Sequence, residues 1–485
     1  MILRRAALRA LAALGLAGAL VACGAGELPR ASGGESGEVR VWSSSADGTR
    51  KLAPGSALSF GSAGRESDAI VIDPAARRQE VVGFGAAMTD ASAQLFEQVL
   101  HRDERDQLFA DLFGADGLAL NFVRVPIGAS DFSTTHYSLD DVPPGQTDPD
   151  LTQFSMAGPL AAQIPALKAA KRINPGLVLM ASPWSAPAWM KDTGSLIKGQ
   201  LRSEFYGAYA AYFGRYLDAM EREGLPVGYI SVQNEPRFEP DNYPGMRFPA
   251  AARARFIGDH LGPLLAARKT RVGILDWDHN WDHPEEPLAV LGDPAAAAHV
   301  TGVAWHCYAG DPAAMEAVRA AHPDKDVFFS ECSGGEWEPG WGSVLGWMTD
   351  NLIIAPTRAG SRGTMLWNLA LDENHGPHLG GCGDCRGVVT IDRKTRAVTR
   401  NVEYYVLGHV SRFVRPGARV LDSSGGASGL THAAFRNGDG SMVLLVHNGT
   451  SDARALTVRT GSQTFRTAVP AGEVMTFTWL EPPPR

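Results

Sequence analysis

Eight short apolar runs recur along the middle of this chain, each followed by a longer segment of different character. They are VVGFGAAM (81–88), FVRVPI (122–127), LVLMASPW (177–184), YISVQNEP (229–236), RVGILDWD (271–278), VTGVAWHCY (300–308), VFFSEC (327–332) and GTMLWNLAL (363–371). A strand that is apolar along its whole length is buried on both faces, which calls for a parallel sheet covered by helices. Intervening stretches such as PLAAQIPALKAAKRI and EFYGAYAAYFGRYLDAMER repeat apolar residues at helical spacing. Eight strand–helix units predict an α/β fold, a closed (β/α)8 TIM barrel over residues 76–410. An open doubly wound sheet is the structural alternative.

The texture changes after residue 410. RVLD, LTHAAF, SMVLLVHN, ARALTVRT and EVMTFTWL are short alternating runs divided by Gly, Asn, Asp and Ser, the pattern of an antiparallel β-sandwich over 411–485. Residues 38–75, with EVRVWSSS and DAIVID, read as strands that join that sandwich, since a lone hairpin there is unstable. Residues 1–22 have the form of a secretory signal: Arg4, Arg5 and Arg9, then LAALGLAGALVA. The run ends in Leu-Val-Ala-Cys, which resembles a bacterial lipobox with Cys23 as the lipidated residue. The plainer alternative is a cleaved signal with a chance cysteine. Residues 23–37 are Gly/Ser-rich and read as a flexible tether. Together these predict an exported protein held on a cell-envelope membrane, the bacterial outer membrane, through a lipid anchor. A formal charge of −8 opposes a nucleic-acid partner. A hydrophobic content of 44% with one long apolar run excludes both a disordered chain and a multi-span membrane protein. Oligomeric state is not written in the sequence.

Barrel active sites lie at the C-terminal ends of the strands. Reading only those ends returns Asp90, Arg124, Trp184, Asn234, Glu235, Asp278, His306, Tyr308, Glu331 and Trp367. Two glutamates follow strands four and seven, Glu235 and Glu331. Facing carboxylates can split one displacement into two, one attacking as nucleophile and the other donating and then removing a proton. Arg124 would keep Glu331 ionised and Tyr308 would hydrogen-bond it. Glu235 is expected to carry the higher pKa, because a neighbouring carboxylate and partial burial favour its proton. Trp184 and Trp367 offer flat faces for a sugar ring, Asn234 an amide for a hydroxyl, and Asp90 an acceptor for a vicinal diol. Each has a duller reading: a salt-bridged glutamate, a core tryptophan, a structural histidine, or Asp90 as a helix cap. Convergence on one rim favours the functional one.

VVGFGAAMTDASAQLF, RVPIGASDFSTTHYSLDD, ASPWSAPAWMKDTGSL, VQNEP, WHCY, FFSEC and LWNLALDENHGP resemble, in that order, the glucosylceramidase-like enzymes of glycoside hydrolase family 30. The resemblance runs from about residue 38 to the C-terminus. It implies a barrel joined to a β-sandwich and a retaining β-glycosidase that uses no cofactor and no metal. By motif, Glu235 matches the acid/base and Glu331 the nucleophile. Asp90, Trp184, Asn234 and Trp367 match residues that hold the non-reducing sugar. Arg124, His306 and Tyr308 match the shell around the nucleophile, with His306 and Tyr308 facing substrate. The first-choice substrate is glucosylceramide or a similar β-glucoside, on a glycan or a glycolipid. Endo-β-1,6-glucanase activity is the alternative, with β-xylosidase or β-fucosidase behind it and a non-catalytic carbohydrate-binding lipoprotein last.

Four cysteines remain besides Cys23. In an exported chain Cys382 and Cys385 are expected to form a local disulfide. Half a zinc site is the alternative, but no second pair with ligand spacing follows. Cys307 and Cys332 each follow an inward-facing residue, so alternation points them outward under the helices, as buried thiols by first choice and as a bridge between neighbouring strands by second.

Overall fold

The computed structural model of the chain describes residues 37–62, 67–158, 160–269 and 271–480. Cys23, the apolar run before it and the stretch behind it up to residue 36 lie outside the described residues.

Eight parallel strands build the barrel: β1 (Gly83–Ala87), β2 (Phe122–Ile127), β3 (Val178–Pro183), β4 (Val227–Ser231), β5 (Gly273–Asn280), β6 (Val300–His306), β7 (Asp326–Glu331) and β8 (Ser361–Asn368). Ladders run without a break from β2 through β8 and on to β1. The last seam, between β1 and β2, closes on scattered hydrogen bonds: Met88 N to Arg124 O at 2.9 Å and Asn121 N to Phe84 O at 3.1 Å. The Asn121 side chain spans the same seam, accepting from Phe84 N and donating to Val82 O. Gly85 makes this approach possible, since a Cβ there would lie 1.9 Å from the Phe122 carbonyl oxygen.

The barrel is plugged at its floor. Phe122, Met180, Leu275, Ala304, Phe328 and Met365, with Tyr229, meet on the axis, one from each of β2 to β8. The cavity of the site therefore begins above this layer. Outside, helices bury one face each. Tyr206–Arg222 buries Tyr209, Tyr212, Phe213, Tyr216, Leu217 and Met220, the i, i+3, i+4, i+7 stripe its sequence carries.

The second layer is a continuous, mostly antiparallel sheet that folds around its own core of Val41, Ile72, Leu444, Val458, Phe465 and Phe477. N-terminal strand Glu38–Ser44 pairs antiparallel with Val474–Leu480. Strand Ile70–Glu80 pairs with Arg419–Gly425 and Arg454–Thr460. It runs to Glu80, five residues past the boundary expected at residue 75, because its ladder with Arg419–Gly425 continues to the barrel entrance. Buried polar ties join the layers. His409, on helix Val402–Ser411, bonds Thr476 and Ser44 at 2.9 Å each, and burial pushes its pKa down to about 3, so it stays neutral.

Cys307 and Cys332 are not separate thiols; they are bonded, with Cα atoms 5.5 Å apart. Both do point away from the barrel axis, but β6 and β7 are ladder neighbours, so the two outward positions past the last pair lie within bridging range. Closing a segment of 25 residues stabilises by about 3–4 kcal/mol on a chain-entropy model. The bridge between Cys382 and Cys385 spans three residues and contributes under about 2 kcal/mol on the same model.

Gly85→Ala should overpack the seam and destabilise the protein by about 3 kcal/mol. A denaturant midpoint equal to that of the parent would show that the β1–β2 approach is not tight.

Candidate active site

A cavity of about 640 Å³ opens above the plugged floor, at the C-terminal ends of the strands. Glu235 and Glu331 both line it, and a carboxylate oxygen of each lies within 4.8 Å of the other and of a His306 nitrogen. Carboxyl groups of retaining glycosidases stand roughly 5–5.5 Å apart, and those of inverting ones at least about 6.5 Å. Glu331 is the last residue of β7. Glu235 comes four residues after β4 and has φ +48°, a left-handed conformation that is costly for a residue with a Cβ. Two backbone bonds hold it there, Asn234 N to Pro183 O and Glu235 N to Asp278 O.

Beneath the glutamates lies a buried charge network centred on Asp278. One of its oxygens accepts from Arg124 (2.7 Å), Ser182 (2.8 Å) and Ser231 (2.6 Å), the other from Ser330 (2.6 Å) and His306 (3.1 Å). Burial opposes the charge on Asp278, but Arg124 and His306 hold its pKa well below the usual carboxylate range. Arg124 also donates to Glu331 Oε2 and to Asn234 Oδ1. Its guanidinium carbon lies 4.9 Å and 5.4 Å from the ring centroids of Trp184 and Trp367. Tyr308 donates to the other Glu331 oxygen at 3.0 Å. His306 Nδ1 meets Glu235 Oε1 at 3.1 Å.

These contacts reverse the expected order of the two glutamates. Burial opposes the charge on His306, yet Glu331, Asp278 and Glu235 around it raise its pKa to about 9. Burial is the largest influence and works against the Glu235 carboxylate, but the hydrogen bond from His306 and the charges of His279, His306 and Arg124 together outweigh it and pull Glu235 below its ordinary value. Glu331 goes up: burial raises it, His306 and Arg124 oppose, and the Glu235 and Asp278 charges add to the rise. Three carboxylates thus face two cations, and of the three it is Glu331 whose negative charge is least compensated.

The sugar-sized part of the cavity is aromatic on one side. Trp184 and Trp367 stack with ring centroids 5.1 Å apart and planes 18° apart, and both line the cavity. Asn234 lines it too; with its oxygen taken by Arg124, its NH2 is the group left for a substrate hydroxyl. Two expectations fail here. His306 is fully enclosed between Asp278 and Glu235 and does not reach the cavity surface. Asp90 is also absent from the lining; its carboxylate accepts from Ser133 (2.6 Å) and Tyr137 (2.7 Å). It begins the helix capped by Thr89 and anchors the loop that follows β2.

That loop carries the acid which reading strand ends passed over. Asp131 lies four residues beyond Ile127, lines the cavity, and bonds Trp367 Nε1 at 3.3 Å through one oxygen, while the other is buried without a partner. The available signal was SDFS (130–133), an acid between small polar residues in the loop after the strand of Arg124. Burial first, then the charge of Glu331, pushes Asp131 up from 3.8 to about 7.

Farther out the mouth is ringed by half-exposed rings: Phe238 (45%), Tyr308 (46%) and Trp337 (54%). Asp241, Asn242 and Asn280 lie among them, and Cys382 and Cys385 edge the opening. The Glu235–His306–Glu331 group has the donor types of a cation site, but both ring nitrogens and both Glu331 oxygens are engaged within the protein.

A raised carboxyl pKa favours the folded state at low pH, and that contribution is lost as pH climbs from the unfolded value near 4 to the folded value of about 7. Asp131→Asn should therefore raise the melting temperature at pH 8 by a few degrees and leave it nearly unchanged at pH 4. It should also cut kcat/KM on a β-glucoside by about 100-fold, since a buried acceptor for a sugar hydroxyl is lost. Equal melting shifts at both pH values would refute the burial argument.

Comparison with known proteins agrees with this architecture. Residues 81–414 match the family model described as the Glycosyl hydrolase family 30 TIM-barrel domain, and residues 417–477 match the Glycosyl hydrolase family 30 beta sandwich domain. The Endo-1,6-beta-D-glucanase of Neurospora crassa is 33% identical over 432 residues, covering 85% of this chain and 88% of that protein. The Lysosomal acid glucosylceramidase of Mus musculus is 31% identical over 440 residues, covering 84% and 83%. Among solved structures, the endo-beta1,6-glucanase BT3312 superposes with a TM-score of 0.85 at 28% identity, covering 92% of this chain and all of that one. With barrel and sandwich both matched over nearly all the described residues, the chain belongs to glycosyl hydrolase family 30 and is a glycoside hydrolase.

Proposed function

We propose that this enzyme hydrolyses β-1,6-linked glucan with retention of anomeric configuration, Glu331 acting as nucleophile and Glu235 as acid and then base. In the first step a Glu331 oxygen bonds the anomeric carbon as the bond from that carbon to the leaving oxygen breaks, and Glu235 protonates the leaving oxygen. In the second, Glu235 takes a proton from water, the water oxygen bonds the anomeric carbon, and Glu331 leaves as carboxylate. Arg124 and Tyr308 fix the Glu331 oxygens. His306 supplies the acid: its Nδ1 proton crosses the 3.1 Å hydrogen bond to Glu235 with no change in total charge, while the other ring hydrogen stays on Nε2, donated to the Asp278 carboxylate.

The observation that carries the substrate reading is the mouth. Its lining combines the aromatic residues Phe238, Tyr308 and Trp337 with the polar residues Asp241, Asn242 and Asn280. A second sugar presents C–H faces to rings and hydroxyls to the polar groups; the alkyl chains of a ceramide need a continuous apolar groove. The fungal relative named for β-1,6-glucan also aligns at slightly higher identity than the mouse glucosylceramidase, 33% against 31%. These points set β-1,6-glucan ahead of glucosylceramide, the substrate first expected from the family resemblance. Assayed side by side, β-1,6-glucan should give a kcat/KM at least about tenfold above glucosylceramide in detergent micelles, a difference of one or two well-made contacts. The reverse ranking overturns the glucan reading and leaves a glycolipid hydrolase.

We further propose that the chain is exported and held on the membrane surface by lipid on Cys23. The support is the sequence of residues 1–37: basic start, apolar run, Leu-Val-Ala-Cys and tether. Cys23→Ser should move the protein out of the membrane fraction, and unchanged fractionation would remove the anchor.

A further inference from the structure

We propose that the Cys307–Cys332 bridge is a positioning device for the nucleophile, locking the bulged register of β6 against β7 that turns Glu331 into the cavity. The inference rests on the reading of Glu331 as nucleophile.

Side chains alternate along a strand, and β7 obeys this until its end. Phe328 points into the floor plug. Phe329 points out to the helices and stacks on Trp281. Ser330 points in and bonds Asp278. Alternation then sends Glu331 outward, away from substrate. It faces the cavity instead because the ladder slips: Trp305 pairs with Phe329, but His306 pairs with Glu331, leaving Ser330 as an extra residue. A bulge of this kind re-aims the side chain after it, and a slip back by one residue would return Glu331 to the helix side.

The bulge lies at the last pair of the β6–β7 ladder, so no further pairing between these two strands resists the slip. The bridge sits one residue farther along both strands, Cys307 after His306 and Cys332 after Glu331. In the slipped register Cys332 would turn with Glu331 and leave Cys307, which the covalent bond forbids. Cys332 reaches further still. Its carbonyl accepts from Trp367 N at 2.8 Å, so the bridged residue also fixes the end of β8. One bond thereby holds together the backbones of His306, Tyr308, Glu331 and Trp367. Cys332 is buried, which suits a permanent clamp.

The test is the double variant Cys307→Ala/Cys332→Ala, assayed with an aryl β-glucoside and with a 2-deoxy-2-fluoro-β-glucoside that traps the glycosyl-enzyme. The expected result is a kcat lowered about 10–100-fold with KM within about twofold, since a misplacement near 1 Å has that effect on an oriented nucleophile. Trapping on Glu331 should slow by the same factor. The acidic limb of kcat/KM should move to higher pH, because a Glu331 less closely held by Arg124 binds its proton more tightly. A folded variant with parental kcat, trapping rate and pH profile overturns the inference, whatever happens to its melting temperature. Should that variant fail to fold, the Cys382→Ala/Cys385→Ala protein, which keeps only this bridge, is assayed before and after reduction by a phosphine. Unchanged trapping with both thiols free overturns the proposal, and loss in step with thiol release supports it. If the parent itself is trapped elsewhere than on Glu331, the nucleophile reading falls and the inference with it.

Discussion

The buried ion pair between Asp278 and Arg124 is the interaction on which the rest of the site depends. Neither group is exposed to water, and breaking a buried pair by removing one partner typically costs about 3–5 kcal/mol because the other charge is stranded. Asp278 meets this condition with five donors, so its charge is fully compensated and immobile. Arg124, held at one end by Asp278, has its other contacts dictated: Glu331, Asn234 and the stacked tryptophans. The second cation, His306, is charged only because carboxylates surround it. Burial raises both Glu235 and Glu331, and where those two positive charges are fixed decides that Glu235 nevertheless ends below its ordinary value and Glu331 above.

The barrel makes such a network affordable by bringing six strands to one layer. Arg124 comes from β2, Ser182 from β3, Ser231 from β4, Asp278 from β5, His306 from β6 and Ser330 from β7, all just above the apolar plug. Regular strands would not suffice. Asp278 is itself the extra residue of a register shift in β5, with φ +50°, and Ser330 is the extra residue in β7. Bulges on both sides of β6 thus turn consecutive side chains toward the axis, where alternation would have supplied only every second one. Glu235 and Asp278, both aimed into the site, are among the non-glycine residues held at positive φ.

This explains what the sequence made legible. Strand identity was readable because burial on both faces leaves a continuous apolar run, and strand ends were readable because the barrel exposes them on one rim. Glu235, Glu331, Trp184, Trp367 and Asn234 all meet there. Asp131 was not, because its place is set by a loop path that Asp90 anchors from behind, and loop paths have no period. The Cys307–Cys332 bond was only the second reading, because alternation gives a direction and says nothing about whether two outward positions on neighbouring strands fall opposite each other. The order of the glutamate pKa values depends on which of them His306 faces, a matter of one side-chain contact between strands.

The same physics separates the two halves of the substrate site. Inside, Arg124, Asp278 and His306 are committed to one another and to the two glutamates, so a substitution at any of the three strands a buried charge. At the mouth, Phe238, Tyr308 and Trp337 are half exposed, and Phe238 and Trp337 can be exchanged at the cost of a surface contact. A family built this way can keep one way of breaking a glycosidic bond while the group beyond the bond changes. That is consistent with a β-1,6-glucanase and a glucosylceramidase aligning with this chain over similar lengths and at similar identity. Overall identity, a difference of 33% against 31%, therefore carries less of the choice of leaving group than the mouth does. At the rim, Phe238 and Trp337 are the aromatic residues that the charge network leaves unconstrained.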